Sequence, residues 1–284
     1  MADAQQQPEI WQRDEAAALE YARTAAPHLL SPWVPEILAA VTLRRDERVL
    51  DVACGTGLVT RSAARIVGEK GEVVGVDLHP PMLAVARSIP RPRGAAEIQW
   101  QAGDAAALPV ASARFDVVFC QQGLQFFADR PAALREMRRA LVPGGRVGIV
   151  VWAAIERNPY FHALADALER QLGSESGARM RSSSALGDQD ELRSLLTQAG
   201  FEHVRVRSLG KAIRLPPLAE FVPRHLASTS LAAQVAAMDG AARRATIEDV
   251  ACAMRPHLSG GGVRAPFEVN VASGLAPGPE AGSR

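Results

Sequence analysis

A doubly wound α/β fold is predicted for this 284-residue chain by three features between residues 48 and 104. The first is an apolar strand, Val49-Leu50-Asp51-Val52, that runs into the turn Ala53-Cys54-Gly55-Thr56-Gly57. The second is another short apolar run, Glu72-Val73-Val74-Gly75-Val76-Asp77, ending on an acid. Such runs fit parallel strands buried on both faces. The third is a repeat of the pattern: residues 97–101 read as a further strand and Gly103-Asp104-Ala105 as its exit loop. Strands alternating with helices build a parallel sheet, and ligands then sit outside the carboxyl ends of its strands.

The glycine turn narrows the ligand. A dinucleotide turn of the form G-x-G-x-x-G uses its last glycine to pack helix against strand beside a pyrophosphate. Thr60 stands at that third position. Gly55 and Gly57 still permit positive φ and close approach of a ligand to the backbone. Asp51 is placed to meet a cationic amino group, and Asp77 to accept from vicinal ribose hydroxyls, as acids at this position do. Asp104 is placed to accept from an adenine amine. A nucleoside bearing an amino group, a carboxylate and a sulfonium, with no phosphate, fits this set: S-adenosylmethionine. A nicotinamide or flavin site is the alternative, opposed by Thr60.

The remaining elements follow in order. Residues 1–8 read as a tail. Helices at 9–26 and 32–41 are separated by Pro27 and by the Ser31-Pro32 start signal. Leu78-His79-Pro80-Pro81-Met82 opens a helix with proline in its first turn. Residues 114–120 form a fourth strand that ends in Gln121-Gln122-Gly123-Leu124-Gln125-Phe126-Phe127. Asp129-Arg130-Pro131 starts a helix running to Leu141. The Pro143-Gly144-Gly145 turn leads to a fifth strand at 146–152.

Taken together, Val49 to Gly57, Gly75 to Asp77 with Pro81-Met82-Leu83, Gly103-Asp104-Ala105, Phe115-Asp116-Val117-Val118 and Leu141-Val142-Pro143-Gly144-Gly145-Arg146 resemble class I S-adenosylmethionine-dependent methyltransferases. The chain looks most like the branch containing the ubiquinone and menaquinone biosynthesis C-methyltransferases and related small-molecule methyltransferases. The resemblance covers residues 40–152. It implies a Rossmann-like seven-stranded sheet, mostly parallel with the last strand antiparallel, carrying helical cap and lid insertions. Residues 1–43 would be an N-terminal helical cap and 44–152 the donor-binding core. Residues 153–187 would be a lid insertion, with a helix at 159–172 followed by a Ser- and Gly-rich stretch. Residues 188–215 would continue the core, with a helix at 188–199 stopped by Gly200 and a strand at 201–209. Residues 216–262 would form a second, helical lid, 263–275 the last strand, and 276–284 a disordered tail.

The resemblance also implies site residues. Donor contacts are expected from Asp51, Ala53, Gly55, Thr56, Gly57, Asp77, Leu78, Met82, Asp104, Ala105 and Gln121. Acceptor contacts are expected from Tyr21, Gln122, Gln125, Phe126 and Tyr160, and Trp11 is a further candidate in the cap. His28 and His162 are the candidates for a general base, one in the cap and one in the first insertion. The product is S-adenosylhomocysteine, and no metal is expected.

Composition sets outer bounds. Apolar residues make up 48% of the chain and charged residues 22%, which supports a sizeable core. A formal net charge of +1 argues against a nucleic-acid footprint. Cys54, Cys120 and Cys252 are too dispersed for a disulfide framework or a zinc pattern. No signal peptide and no long apolar span is read, so a cytoplasmic protein is expected, monomer or homodimer, acting on a small organic acceptor at oxygen or carbon. Two other readings stay open: a nicotinamide-dependent oxidoreductase, and a non-catalytic scaffold that keeps the cofactor.

Overall fold

The computed structural model describes residues 14–278. The whole of the tail expected at 1–8, the start of the helix expected at 9–26 with Trp11, and residues 279–284 of the tail expected at 276–284 lie outside the described residues. The sheet is built from β1 (Arg48–Val52), β2 (Glu72–Asp77), β3 (Glu97–Ala102), β4 (Phe115–Gln121), β5 (Leu141–Trp152), β6 (Glu202–Leu215), β7 (Leu258–Ser259) and β8 (Gly262–Leu275). Its order is β3-β2-β1-β4-β5-β8-β6, with the two-residue β7 paired to β8. Strands β1 to β5 pair in parallel, and β8 inserts antiparallel between β5 and β6. This is the expected sheet of seven full strands. The order reverses between β1 and β4, so a topological switch point opens at their carboxyl ends.

The helices are α1 (Glu15–Arg23), α2 (Val34–Ala40), α3 (Leu58–Val67), α4 (Pro80–Ser88), α5 (Arg130–Ala140), α6 (Pro159–Leu172), α7 (Ser174–Arg181), α8 (Gln189–Gln198), α9 (Leu218–Ala227), α10 (Ala232–Ala236) and α11 (Gly240–Ala253). Their starts follow local chemistry. Asp14, Asp129, Asp188 and Asp239 each cap a helix through a side-chain oxygen that accepts a first-turn N–H. One face of the sheet is covered by α5 and α8 around Phe115, Leu134, Met137 and Leu192. The other carries α2, α3, α6, α9 and α11 around Trp33, Ile37, Tyr160, Phe221 and Phe267.

Five local expectations are corrected. Residues 26–33 do not break the helical path at Pro27; a π-helical turn (Ala26–Leu30) and a 3-10 turn (Ser31–Trp33) carry it on. The fifth strand, expected at 146–152 after a turn, begins at Leu141 and takes in Pro143-Gly144-Gly145, while the Ser- and Gly-rich stretch after α6 folds as α7 and a 3-10 turn with Met180 and Ser176 buried. The strand expected to stop at 209 continues to Leu215. It pairs with β8 as far as Leu215 opposite Val263, and its Ile213 and Leu215 enter the core under the inserted helices. Ala276, expected in a disordered tail, is 5% exposed, and its N–H donates to Gly145 O at 2.8 Å.

Candidate functional site

The glycine turn is shaped by its backbone. Ala53, Gly55 and Gly57 all have positive φ, at 56°, 55° and 81°. Three left-handed residues in five fold the chain back within one turn, and Cys54 N–H stitches it to β2 by donating to Val76 O at 3.0 Å. Gly57 is pressed under a ring: a Cβ there would sit 2.2 Å from Cη2 of Trp100, on β3. Trp100 also covers Gly75, so β3 supplies a roof for the turn that inspection of the glycines alone does not reveal.

Asp77 sits at the tip of β2, 6% exposed. Its Oδ2 accepts the Gly55 N–H at 2.7 Å and its Oδ1 the His79 N–H at 2.9 Å. Each oxygen keeps a further lone pair for a ligand. Burial pushes this carboxyl up, and the two N–H donors pull it part of the way back.

Asp51 behaves differently from expectation. It is 1% exposed, it does not border the cavity described below, and its Oδ2 accepts the Thr60 hydroxyl at 2.5 Å. Thr60, which occupies the third-glycine position, therefore ties α3 to β1 through its side chain. Burial pushes the Asp51 carboxyl up to about 7, with Thr60 offsetting part of the shift. A carboxyl with a higher pKa folded than unfolded binds more protons when folded, so its contribution to stability is lost as pH rises from about 4 to about 7. In Asp51→Asn the amide oxygen still accepts from Thr60 while the ionisation is gone. Urea unfolding of both proteins should show stability shifting in favour of the Asn variant between about pH 5 and about pH 8. A difference that stays constant across that range would contradict the raised carboxyl.

One continuous cavity of about 1000 Å³ opens at the strand tips. Ala53, Gly55, Asp77, Leu78, Met82, Asp104, Ala105 and Gln121 line it. Tyr21 lines it as well, close to the glycine turn: a Cβ on Gly55 would lie 3.8 Å from the Tyr21 hydroxyl and 3.8 Å from Met82 Cε. Gln122, Gln125 and Phe126 line the middle. Thr56 and Gly57 do not border the cavity and shape the turn from behind. Gln122 and Gln125 are linked to each other, and Gln121 is held separately by the cap segment. Gln121 Nε2 donates to Leu30 O at 2.9 Å, Gln125 Nε2 to Gln122 Oε1 at 2.8 Å, and Trp152 N–H to the same Oε1 at 3.1 Å. Gln121 Oε1, Gln122 Nε2 and Gln125 Oε1 are buried without a partner. Gln122 is also held at φ 56°. Strained backbone of this kind, outside glycine, concentrates at functional sites.

Besides Asp51, Thr56 and Gly57, three further expected residues, one acceptor contact and the two base candidates, do not line the cavity. Tyr160 is fully buried behind the wall, where its hydroxyl meets His225. His28 packs edge-on against Phe221 at 5.6 Å. His162 faces outward on α6, 3.6 Å from Asp166, because the opposite face of that helix is the apolar one. Sequence reasoning missed Trp152, Phe161, Met180 and His225, which also line the cavity. The one available signal was the apolar face of α9, where His225 falls four residues after Phe221. Among the described residues no cluster of three His, Cys, Asp or Glu suits a metal ion, and no helix is long and apolar enough to cross a membrane.

Solved structures share this architecture. Phosphoethanolamine N-methyltransferase 2 of Haemonchus contortus, in complex with S-adenosyl-L-methionine, aligns with a TM-score of 0.59 at 17% identity, covering 98% of this chain and 60% of that one. The cyclase SpnF aligns at 0.51 and 22% identity, covering 88% and 81%. The fold is thus common to more than one chemistry, and the sequence comparisons decide between them. Residues 28–215 match the model of the ubiE/COQ5 methyltransferase family. A 2-phytyl-1,4-naphtoquinone methyltransferase of Thermosynechococcus vestitus is 36% identical over 61% of this chain and 80% of that protein. The ubiquinone/menaquinone biosynthesis C-methyltransferase UbiE of Yersinia enterocolitica is 34% identical over 59% and 71%. Fold and sequence together define a class, the methyltransferases that take the methyl group from S-adenosylmethionine. Within it, this chain belongs to the ubiE/COQ5 methyltransferase family.

Proposed function

We propose that the chain methylates a small planar acceptor of phenol or quinol type, at oxygen or ring carbon, with S-adenosylhomocysteine as the second product. The observation that carries this reading is the single cavity joining the strand tips to a chamber walled by Trp152 and Phe161. The names of the curated relatives, which are quinone methyltransferases, support it.

The residues present fit the donor. Asp77 offers both carboxylate oxygens to ribose hydroxyls, and Asp104 stands at the exit of β3 for the adenine side. Gln121 Oε1 is a buried acceptor without a partner, suited to the amino group of the methionine part. Gly55 leaves open the space that a side chain would occupy between Tyr21 and Met82. Ala53, Leu78 and Ala105 complete the wall. When bound, the donor supplies a sulfonium methyl already activated for in-line attack. The chain then has to orient the acceptor and exclude water, and proximity and desolvation provide the rate. Gln122 Nε2 and Gln125 Oε1 offer one donor and one acceptor where the two ends of the cavity meet.

The domain reading is part of this proposal. Residues 1–43 act as a cap, α1 lying on α4 through Ala18, Met82 and Val85. Segments 153–187 and 216–262 act together as the lid, and Arg224 on α9 joins cap to lid by donating to Glu20 at 2.8 Å. The proposed assembly is a monomer or homodimer, and all residues assigned to the site come from one chain.

Calorimetry with S-adenosylhomocysteine, using NAD as control, tests the reading. One-to-one binding without response to NAD, followed by methylated product in a screen of phenols and quinols, is the expected result. Binding of NAD alone would overturn it, and donor binding without turnover on any acceptor would favour the scaffold.

A further inference from the structure

Two buried polar rings meet between the inserted helices, His225 on the cavity wall and Tyr160 behind it. Tyr160 on α6 is 0% exposed and His225 on α9 is 6% exposed, and the Tyr160 hydroxyl lies 2.9 Å from His225 Nδ1. The imidazole is clamped: it stacks on Phe221 at 5.7 Å and 21°, and Phe161 lies 6.0 Å away. Nε2 has no hydrogen-bond partner among the described residues, yet it is not one of the polar atoms sealed from solvent without a partner. Since His225 lines the cavity, Nε2 is the atom it presents there.

We propose that His225 is the acceptor-recognition residue, its Nε2 hydrogen-bonding an uncharged hydroxyl or carbonyl oxygen on a planar acceptor ring, with Tyr160 as the positioning residue that holds the imidazole. The proposal rests on the methyltransferase reading and adds to it where the acceptor is gripped and by what chemistry.

Burial alone drives the His225 imidazole down to about 4, so the ring is neutral at neutral pH. A neutral imidazole suits an uncharged oxygen better than a carboxylate or phosphate, which would call for a cation. The cations nearby are otherwise engaged. Arg224 pairs with Glu20 at 2.8 Å and Glu220 at 3.2 Å, and Arg179 on the cavity wall pairs with Glu175 at 3.2 Å. Arg130, also on the wall, donates to Gln125 O at 2.9 Å and lies 3.8 Å from Glu191, only its Nε lacking a partner. The cavity wall includes apolar residues, Trp152, Phe161, Met180 and Leu231, together with Ser228, Thr229 and Ser230, which follow His225 in the chain. The Ser228 and Thr229 hydroxyls donate to the backbone oxygens of His225 and Leu226. A bound ring without a matching oxygen would leave Nε2 dry and unpaired. Sites built to hydrogen-bond a substrate oxygen reject analogues that lack it for this reason.

The test uses the full chain saturated with S-adenosylhomocysteine, titrated with 1-naphthol and with naphthalene. The wild-type protein is expected to prefer 1-naphthol by about ten-fold or more. In His225→Phe the preference should shrink to about three-fold or less, with the affinity for S-adenosylhomocysteine unchanged. His225→Gln, which keeps a polar tip, should restore part of it. Imidazole nitrogen NMR provides a readout that does not depend on any variant folding. 1-Naphthol should shift the His225 Nε2 signal and naphthalene should not. In Tyr160→Phe the same signals should change from one tautomer to a mixture, which a purely structural role for Tyr160 would not produce. A preference retained in His225→Phe, a wild-type protein that does not bind 1-naphthol preferentially, or an Nε2 signal indifferent to it would each overturn the proposal. If the wild-type chain fails to bind S-adenosylhomocysteine at all, the methyltransferase reading falls first. If it binds and the preference is unaltered, only the role of His225 falls.

Discussion

Asp77→Ala is expected to remove measurable binding of S-adenosylhomocysteine while the chain stays folded. The carboxylate is the one acidic group that both borders the cavity and holds the glycine turn, through Gly55 N–H at 2.7 Å and His79 N–H at 2.9 Å. Alanine releases the turn and would lose the proposed ribose contacts. Two hydrogen bonds to a charged group, at about 1.5–3 kcal/mol each, correspond to an affinity loss of roughly a hundred-fold or more. Asp77→Asn should not rescue it, because an amide NH₂ would be forced against one of the two backbone donors. Calorimetry reads the affinity, and circular dichroism the fold. An Asp77→Ala protein that binds with wild-type affinity would move the donor site elsewhere.

Gly57→Ala should cause the largest loss of stability from a single methyl group. The residue sits at φ 81°, and the new Cβ would lie 2.2 Å from the Trp100 ring. Left-handed strain contributes about 1–3 kcal/mol and overpacking about 1–3 kcal/mol. A combined loss of about 3 kcal/mol lowers the melting temperature by roughly 6–12 °C in a chain of this size. Adding Trp100→Ala should return stability relative to Trp100→Ala alone on the steric part and leave the φ part. Thermal melts of the four proteins separate the two. If Gly57→Ala costs nothing in either background, the turn is not packed as described.

Much of the donor half was legible in the sequence. Asp77, Gly55, Asp104 and Met82 line the cavity as expected, since each stands at the end of a strand or the start of a helix that its own segment specifies. Asp51 was legible as an acid before the turn but not as one sealed by Thr60, because that hydroxyl reaches it only once α3 has packed on β1. The base candidates His28 and His162 were chosen by segment. Which face of a helix turns inward is set by packing, and it turned His162 out and His225 in.

What the sequence by itself determined is the sheet, the glycine turn and the acid-tipped strands. These are short-range features, in which an apolar run, a left-handed turn and a helix start follow one another within one segment. Only the tertiary structure decided the part of the cavity proposed to hold the acceptor. Tyr160 and His225 are 65 residues apart and meet because β6 and β8 extend past the core to Leu215 and Val263, giving α6, α9 and α11 a common apolar surface to cover. Contacts of that range depend on how distant helices share a core, and a local pattern of residues carries no record of it.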